Sequence, residues 1–257
     1  MAAASASFDA NKAEADLNQY WYSEHTIKTM VKEIEMFAGS AAFLSTPSLY
    51  FALTKDSLRA KSKLFEFDKQ WESDPGFVFY DYNEPEKVPV GLWESFDYIV
   101  VDPPFITAEV WAKYAQTIKL IAKKGARFFF TSVIENHQML EEFADTALMV
   151  PVFRPSIPKL VYQYHCFTSY ESHSLAEPNP ELPPEDATVL NARRLANDMR
   201  ESQNAFKLQA QLRPREGEAP LPSAQHQHPS GADPAMQWTY VPEGLTEYPE
   251  GHSSAPP

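Results

Sequence analysis

Short apolar runs alternate with stretches of helical periodicity over residues 20–170. The apolar runs predict strands at 41–45, 63–68, 77–80, 96–101 and 126–132. The stretches between them space apolar residues three and four apart, and they predict helices at 23–37, 47–60, 107–122 and 135–144. Strands that alternate with helices are typical of α/β proteins, so the pattern predicts a mostly parallel sheet.

The end of this pattern predicts an antiparallel pair of strands. Residues 147–153 and 160–168 are joined by 154–158 (Arg-Pro-Ser-Ile-Pro), a link short enough for antiparallel neighbours. The connection between the second and third strands is also short, at about eight residues (69–76). Because a helical crossover normally needs a dozen, we expect a bare loop or a turn of helix there, or a misplaced strand boundary.

The composition changes near residue 171. More than half of the 22 prolines lie beyond it, together with many Ser, Gln and His residues. Such a segment buries too little apolar surface to offset chain entropy, so 171–257 is predicted to be a largely disordered acidic tail. One stretch, 186–212, lacks Gly and Pro and carries an apolar stripe, which predicts a marginal amphipathic helix. The folded domain is then expected at 17–170, after a flexible N-terminus at 1–16.

Charge and composition exclude several classes of function. The net charge is −13 and no part of the chain is basic, so duplex nucleic acid is a poor partner and a basic protein a better one. The single cysteine, Cys166, excludes an intramolecular disulfide and fits a reducing compartment. The seven histidines lack metal-ligand spacing, so no metal site is predicted. No apolar run approaches the roughly 20 residues of a membrane span, and no secretory signal is expected.

The most informative motif is residues 102–105 (Asp-Pro-Pro-Phe), directly after the strand 96–101. Ligands of open α/β sheets bind outside the carboxyl ends of the strands. Prolines have no N–H, so the motif offers a carboxylate, backbone carbonyls and an aromatic face to a planar or cationic nitrogen. Group transfer to an amine is the chemistry that this set favours. The alternative is a plain helix start, with Asp102 as cap and Pro103 in the first turn.

Polar residues at the other strand ends predict a nucleoside cofactor. The turn after the first strand, 45–48 (Ser-Thr-Pro-Ser), lacks the glycines that a pyrophosphate cofactor needs, whereas a nucleoside sulfonium needs less of them. Glu66 and Asp68 end the second strand, and either can accept ribose hydroxyls; Glu66 is preferred. Asp81 can accept from an adenine amino group. Each of these acids also fits a solvated strand end or an ordinary turn.

In combination, the motifs resemble one family. Residues 19–23 (Gln-Tyr-Trp-Tyr-Ser), 44–50, 65–68, 79–83, 95–105 and 155–164 are similar to the eukaryotic lysine methyltransferases that modify translation elongation factor 1-alpha. That family was formerly described as N6-adenine-specific DNA methyltransferases because of its Asp-Pro-Pro-aromatic motif. The resemblance covers about 17–170. It implies a seven-stranded Rossmann-like class I methyltransferase fold, S-adenosylmethionine as cofactor, a lysine of elongation factor 1-alpha as substrate, and a cytoplasmic setting.

Together, these arguments assign roles to individual residues. The predicted catalytic residues are Asp102, Pro103 and Phe105, and the predicted substrate contacts are Tyr22 and Phe105. The predicted cofactor contacts are Trp21, Ser45, Thr46, Glu66, Asp68, Asp81 and Asp102. Trp21 either roofs the cofactor pocket or fastens the first helix to the sheet. Adenine N6-methylation of nucleic acid is the alternative function, because the same four residues would serve both acceptors.

Overall fold

The computed structural model describes residues 20–212, and these form a mostly parallel β-sheet with helices on both faces. The strands are β1 (Ala41–Leu44), β2 (Lys63–Glu66), β3 (Phe77–Phe79), β4 (Phe96–Val101), β5 (Ala122–Ser132) and β6 (His165–Thr168). The helices are α1 (Glu24–Phe37), α2 (Pro47–Phe51), α3 (Asp56–Arg59), α4 (Ala108–Ile121), α5 (His137–Ala144) and α6 (Ala187–Leu212). The N-terminal segment 1–16 and the tail beyond 212 lie outside the described residues.

The strand order is β3-β2-β1-β4-β5-β6, which is a doubly wound arrangement. Strands β1 to β5 run parallel, and β6 pairs antiparallel with β5. The predicted α/β class with a mostly parallel sheet and an antiparallel strand at its end is thereby confirmed, although the main partner of that strand is β5 and not residues 147–153. The order changes direction between β1 and β4, and ligands of open sheets bind in the crevice at such a switch point.

The strand predicted at 147–153 is reduced to a single bridge. Met149 pairs antiparallel with Thr168, with N–H to carbonyl distances of 2.8 and 3.0 Å. Pro151 lacks the N–H that a longer ladder would use, which explains why the prediction of a strand at 147–153 was too long. On the other side of the pair, β6 begins only at His165, although 160–168 was predicted.

The helix predicted at 47–60 is wrong in one respect, because it is split into α2 and α3. The break lies at Thr54 and Lys55, whose backbone N–H groups donate to the Glu35 carboxylate at 2.5 and 2.9 Å. A side chain of α1 therefore satisfies N–H groups that a continuous helix would have bonded internally.

The short connection between β2 and β3 contains one turn of 3-10 helix, Lys69–Trp71. Asp68 caps this turn by accepting from the Gln70 N–H at 2.9 Å. The strand predicted at 63–68 therefore ends earlier, at Glu66, because Asp68 belongs to the turn. Both expected explanations therefore hold: the connection contains a turn of helix, and the predicted end of the second strand was misplaced by two residues.

Each face of the sheet carries its own hydrophobic core. Alternate residues of β1 point to opposite faces, so Phe43 packs with α1, α2 and α3 while Leu44 packs with α4 and α5. Ser23 caps α1 by accepting from the Thr26 N–H at 3.1 Å, as its position before the apolar run predicts. In the part of the chain that is described, no helix is long and apolar enough to cross a bilayer.

The prediction of disorder from residue 171 is wrong for 171–186, which lies against the domain. Leu175 is fully buried, and its carbonyl accepts from the Phe153 N–H at 3.0 Å. The Ser174 N–H donates to the buried Glu33 carboxylate of α1 at 2.7 Å. Helix α6 then occupies the stretch for which a helix was predicted. A few well-placed contacts thus order a segment whose average composition is that of a flexible tail.

Candidate active site

A cavity of about 260 Å³ lies at the carboxyl ends of the parallel strands. Its walls come from the segment before α1, from the turns after β1 to β4, from α4, and from the loop between Met149 and β6. The lining residues are Tyr20, Trp21, Ser45, Pro47, Glu66, Phe67, Tyr80, Asp81, Tyr82, Asn83, Asp102, Pro103, Pro104, Phe105, Tyr114, Ile157, Leu160, Tyr162 and Tyr164.

The turn after β1 has the backbone form that glycine usually supplies. Ser45 has a φ of 55°, in the left-handed region. Its hydroxyl lies 2.6 Å from the Tyr114 hydroxyl, and its N–H donates to the Phe65 carbonyl at 2.9 Å. These bonds hold the strained residue in the cavity wall. Thr46 is buried next to it, directly precedes α2 and lies outside the cavity wall, although a cofactor contact was predicted for it.

The structure separates the two acids after β2. Glu66 lines the cavity, and its Oε1 accepts from the N–H groups of Phe67 and Asp68 at 2.9 and 3.1 Å. Burial raises the pKa of Glu66 to about 7, against the lowering effect of these two bonds. Asp68 lies outside the cavity wall, because its carboxylate is turned toward Gln70 as a cap. Of the two predicted ribose contacts, only Glu66 faces the cavity.

Asp81 belongs both to the cavity wall and to a tight turn. Asp81 lines the cavity, and its Oδ1 also accepts from the backbone N–H and side-chain amide of Asn83 at 2.8 and 3.0 Å, which is ordinary turn chemistry. The next ring, Tyr82, stacks on Tyr114 of α4 with a centroid distance of 5.8 Å. The turn therefore presents a carboxylate beside a flat aromatic wall.

Residues 102–105 form the central part of the cavity. The Asp102 N–H continues the sheet by donating to the Leu44 carbonyl at 3.3 Å. Asp102 does not cap α4; Thr107 does, with its hydroxyl 3.4 Å from the Val110 N–H. Burial raises the pKa of Asp102 to about 6, against a hydrogen bond from Tyr22. Phe105 is 48% exposed at the cavity mouth.

The segment before α1 contributes to the cavity and to the core. Trp21 lines the cavity and packs edge-on against Trp71 with centroids 6.4 Å apart, so it both roofs the site and fastens the segment to the domain. Tyr20 is partly exposed in the cavity wall. Tyr22 was predicted to contact substrate, but it is buried behind Asp102 and lies outside the cavity wall.

Sequence reasoning missed the wall that the loop 151–164 supplies. Ile157, Leu160, Tyr162 and Tyr164 return to the cavity from this loop. Tyr162 and Tyr164 alternate as strand residues do, so a strand was predicted there. The signal that a loop continues to this point is the pair of prolines just before them, Pro155 and Pro158. Tyr114 of α4 was also missed; its signal is its place on the same helix face as Trp111 and Ile118.

The cavity wall is acidic and aromatic. It contains three carboxylates, from Glu66, Asp81 and Asp102, and none of its lining residues is Lys, Arg or His. Within residues 20–212, no cluster of His, Cys, Asp and Glu is arranged to hold a metal ion. Carboxylates and aromatic faces together attract cations and planar amines, so the wall is chemically suited to positively charged groups.

Comparisons with known proteins identify a family and several similar chains. A family model described as probable N6-adenine methyltransferase matches residues 13–172. A protein-lysine N-methyltransferase of Dictyostelium discoideum is 34% identical over 63% of this chain and 80% of its own length. EEF1A lysine methyltransferase 1 of Danio rerio is 32% identical over 62% of this chain and 100% of its own length.

Among solved structures, a predicted O-methyltransferase of Agrobacterium tumefaciens is 13% identical, with a TM-score of 0.40, over 60% of this chain and 88% of that one. The family match is the stronger finding, since it spans more than half of the chain and includes every lining residue of the cavity. The chain therefore belongs to the methyltransferase family whose model is described as probable N6-adenine methyltransferase and which includes these protein-lysine N-methyltransferases.

Proposed function

We propose that this protein is an S-adenosylmethionine-dependent N-methyltransferase that modifies a lysine of translation elongation factor 1-alpha. The single observation that carries the proposal is the cavity wall, which combines three carboxylates and exposed aromatic rings with no basic side chain. Such a wall suits a lysine side chain and a cationic cofactor. It does not suit a polyanion, whose binding depends largely on Lys and Arg.

The residues of the cavity fit S-adenosylmethionine, which supplies a methyl group already activated on a sulfonium. The left-handed turn at Ser45 gives the backbone after β1 the conformation that a glycine turn usually supplies, and the Ser45 side chain lines the cavity. Glu66 is the acid available to ribose hydroxyls, and Asp81 is the acid available to an adenine amino group. Trp21 closes the cavity from above. These residues are the ones that would hold the cofactor.

The residues at 102–105 would prepare the acceptor amine. Phe105 offers its exposed face to an incoming ammonium group through a cation–π contact. Loss of the ammonium proton at neutral pH costs roughly 4 kcal/mol for a lysine of ordinary pKa. Asp102 is ionised at neutral pH, since its pKa is about 6, and can orient the amine or accept that proton. Pro103 has no N–H, so its backbone offers the amine only an acceptor.

The identity of the substrate is inferred from the relatives. The names of several curated relatives, among them those of Danio rerio and Homo sapiens, give EEF1A as the protein that they methylate. The yeast relative is also named a protein-lysine N-methyltransferase. We extend this substrate to the present chain because the similarity covers the whole cavity. A cytoplasmic setting follows from the same proposal, since translation elongation takes place there.

Adenine N6-methylation is the second candidate, because the family description and the Asp-Pro-Pro-Phe motif both favour it. The two candidates separate in one experiment. A cell extract is incubated with the enzyme and a methyl-labelled donor, and samples are then treated with protease or with nuclease. We expect protease to remove the macromolecular label and nuclease to leave it. Label that only nuclease removes would favour adenine and overturn the lysine proposal.

A further inference from the structure

The buried hydroxyl of Tyr22 contacts both the residue that follows β4 and the end of β5. Tyr22 is 6% exposed and donates its hydroxyl hydrogen to the Asp102 carboxylate. The same hydroxyl lies 2.8 Å from Oγ1 of Thr131, near the end of β5. Thr131 also hydrogen-bonds Asp102, so the two hydroxyls and the carboxylate form one buried cluster.

The positions of these three residues are fixed by the fold. Parallel pairing of β4 with β5 sets Val101 beside Phe130, and the next residues along are Asp102 and Thr131. Tyr22 immediately precedes Ser23, whose N–H donates to the Ser156 carbonyl at 2.9 Å. The hydroxyl therefore reaches Asp102 from a segment that is itself anchored, which is the arrangement that pre-orientation of a reacting group requires.

We propose that Tyr22 is a positioning residue for methyl transfer, because its buried hydroxyl holds the Asp102 carboxylate in one orientation and leaves the other face of that carboxylate to the cavity. This inference rests on the proposed function. It replaces the substrate contact predicted for Tyr22, since Tyr22 lies outside the cavity wall.

The charge states agree with this role. Burial and the nearby Asp102 raise the pKa of Tyr22 well above its usual value, so Tyr22 keeps its proton and remains a donor throughout the working pH range. The hydrogen bond from Tyr22, like the weaker one from Thr131, favours the ionised form of Asp102 and opposes the effect of burial. Loss of the bond should therefore raise the pKa of Asp102 above about 6.

The titration of Asp102 must be distinguished from the titration of the other ionisable groups around it. Burial raises the pKa values of Cys166 and Tyr164, which lie close to Asp102, far above neutrality. Glu66 and Asp81 line the same cavity, and Glu66 titrates near pH 7. A pH–rate profile alone would mix Glu66 with Asp102. The titration of Asp102 must therefore be followed directly, by NMR of the protein labelled with ¹³C at aspartate carboxyl carbons.

The test compares Tyr22→Phe with Tyr98→Phe in the full-length protein. Tyr98 is a matched control, because it is also a buried tyrosine whose hydroxyl bonds another side chain, Tyr170, away from the cavity. We expect Tyr22→Phe to lower kcat roughly tenfold to a hundredfold, the range for a lost hydrogen bond to a charged group. We expect the pKa of Asp102 to rise by about one pH unit. Tyr98→Phe should change neither quantity.

Two results would overturn the inference: an unchanged kcat in Tyr22→Phe, or an Asp102 titration that does not move. Should Tyr22→Phe fail to fold, 3-fluorotyrosine at position 22 makes the hydroxyl a stronger donor with little change in size, and we expect the pKa of Asp102 to fall; an unmoved titration there would also refute the inference. The NMR titration needs no substrate. If the wild-type protein did not methylate lysine, the proposed function would fail while the titration still decided the role of Tyr22.

Discussion

Glu66 is the cavity residue whose charge changes nearest to neutral pH. Its side chain is buried at the end of β2, and two backbone N–H groups do not offset the loss of hydration, so its pKa is about 7. Hydroxyl groups that donate to a carboxylate favour its ionised form. A bound ribose would therefore lower the pKa of Glu66, and cofactor binding would release a proton below about pH 7.

The first prediction concerns this coupling. Because the ionised form binds ribose, cofactor affinity should fall as pH drops through 7, by up to about tenfold per pH unit below the free pKa. Glu66→Gln should weaken S-adenosylmethionine at least about tenfold at pH 8 and should remove most of this pH dependence. Calorimetric titration at pH 6 and pH 8 measures both effects.

Asp68→Asn is the matched control for Glu66→Gln, because Asp68 ends the same strand region but is turned toward Gln70. Its cofactor affinity should stay within about twofold of the wild type. Weaker binding in Asp68→Asn together with unchanged binding in Glu66→Gln would move the ribose contact to Asp68.

Site residues that the sheet places could be predicted from the sequence, whereas those placed by side-chain contacts could not. Glu66, Asp81 and Asp102 share the cavity because the carboxyl ends of parallel strands meet at one edge, and strands are recognisable from apolar runs. The orientation of Tyr22 depends on Asp102, a partner 80 positions away that no local pattern encodes. The carboxylate of Asp68 is turned toward Gln70, only two residues on, so a local capping contact took the place of the predicted ribose contact.

At the level of elements, α6 docks in an unexpected way. Asn197 exchanges two hydrogen bonds with the backbone of Val150, both at 2.8 Å, and Asn204 does the same with Ala147 at 3.1 and 2.9 Å. These amides satisfy the outer edge of the sheet beyond the bridge at Met149, an edge that would otherwise be open to pairing. The apolar stripe that predicted the helix faces solvent; its members are Leu195 (66% exposed), Met199 (66%) and Phe206 (70%).

The second prediction tests this attachment. Replacing Asn197 and Asn204 together by Ala should release α6 from the domain, because each substitution removes two hydrogen bonds and leaves backbone groups unpaired. Hydrogen exchange at the α6 amides and at Val150 should become at least about tenfold faster. Asn191→Ala, at an exposed position of the same helix, is the control and should change nothing. Unchanged exchange in the double variant would show that α6 is held in another way.

The third prediction concerns the segment 171–186. A chain that ends after Ser172 lacks Leu175 and leaves the buried Glu33 carboxylate without the Ser174 N–H. Loss of one buried leucine alone costs roughly 2–5 kcal/mol, so this truncation should melt well below the wild type. A chain that ends after Asp186 keeps both contacts and should melt clearly higher. Thermal melts of the two truncations decide the matter, and equal melting temperatures would contradict the packing of this segment.

At the level of the whole molecule, the sheet was predictable and its closing part was not. Apolar runs of β-branched and aromatic residues predict the parallel strands. The short connection from β2 to the parallel strand β3 is made by a helical turn that Asp68 caps. The closing strands are shorter than predicted for two reasons. Pro151 lacks an N–H, and side chains of α6 bind backbone groups that strand pairing would otherwise use. Those contacts join residues about 50 positions apart, and local periodicity does not report them.

The acidic character of the whole chain bears on its partner. The net charge is −13, and the cavity wall repeats this sign with three carboxylates. A phosphate backbone would be repelled both at long range and at the site, whereas a protein that presents a lysine would be attracted at both scales. The overall charge and the local chemistry therefore favour the same class of acceptor.

The most direct test of this account is methyl transfer by the purified protein to purified elongation factor 1-alpha, with DNA and RNA in parallel reactions. Tandem mass spectrometry locates the methyl group, and Asp102→Asn, which keeps an acceptor for Tyr22, is the matched variant. We expect methylation of a lysine by the wild type, and a rate at least about a hundredfold lower in a variant that melts within a few degrees of it. Methylated adenine, or equal rates for the two proteins, would contradict the account.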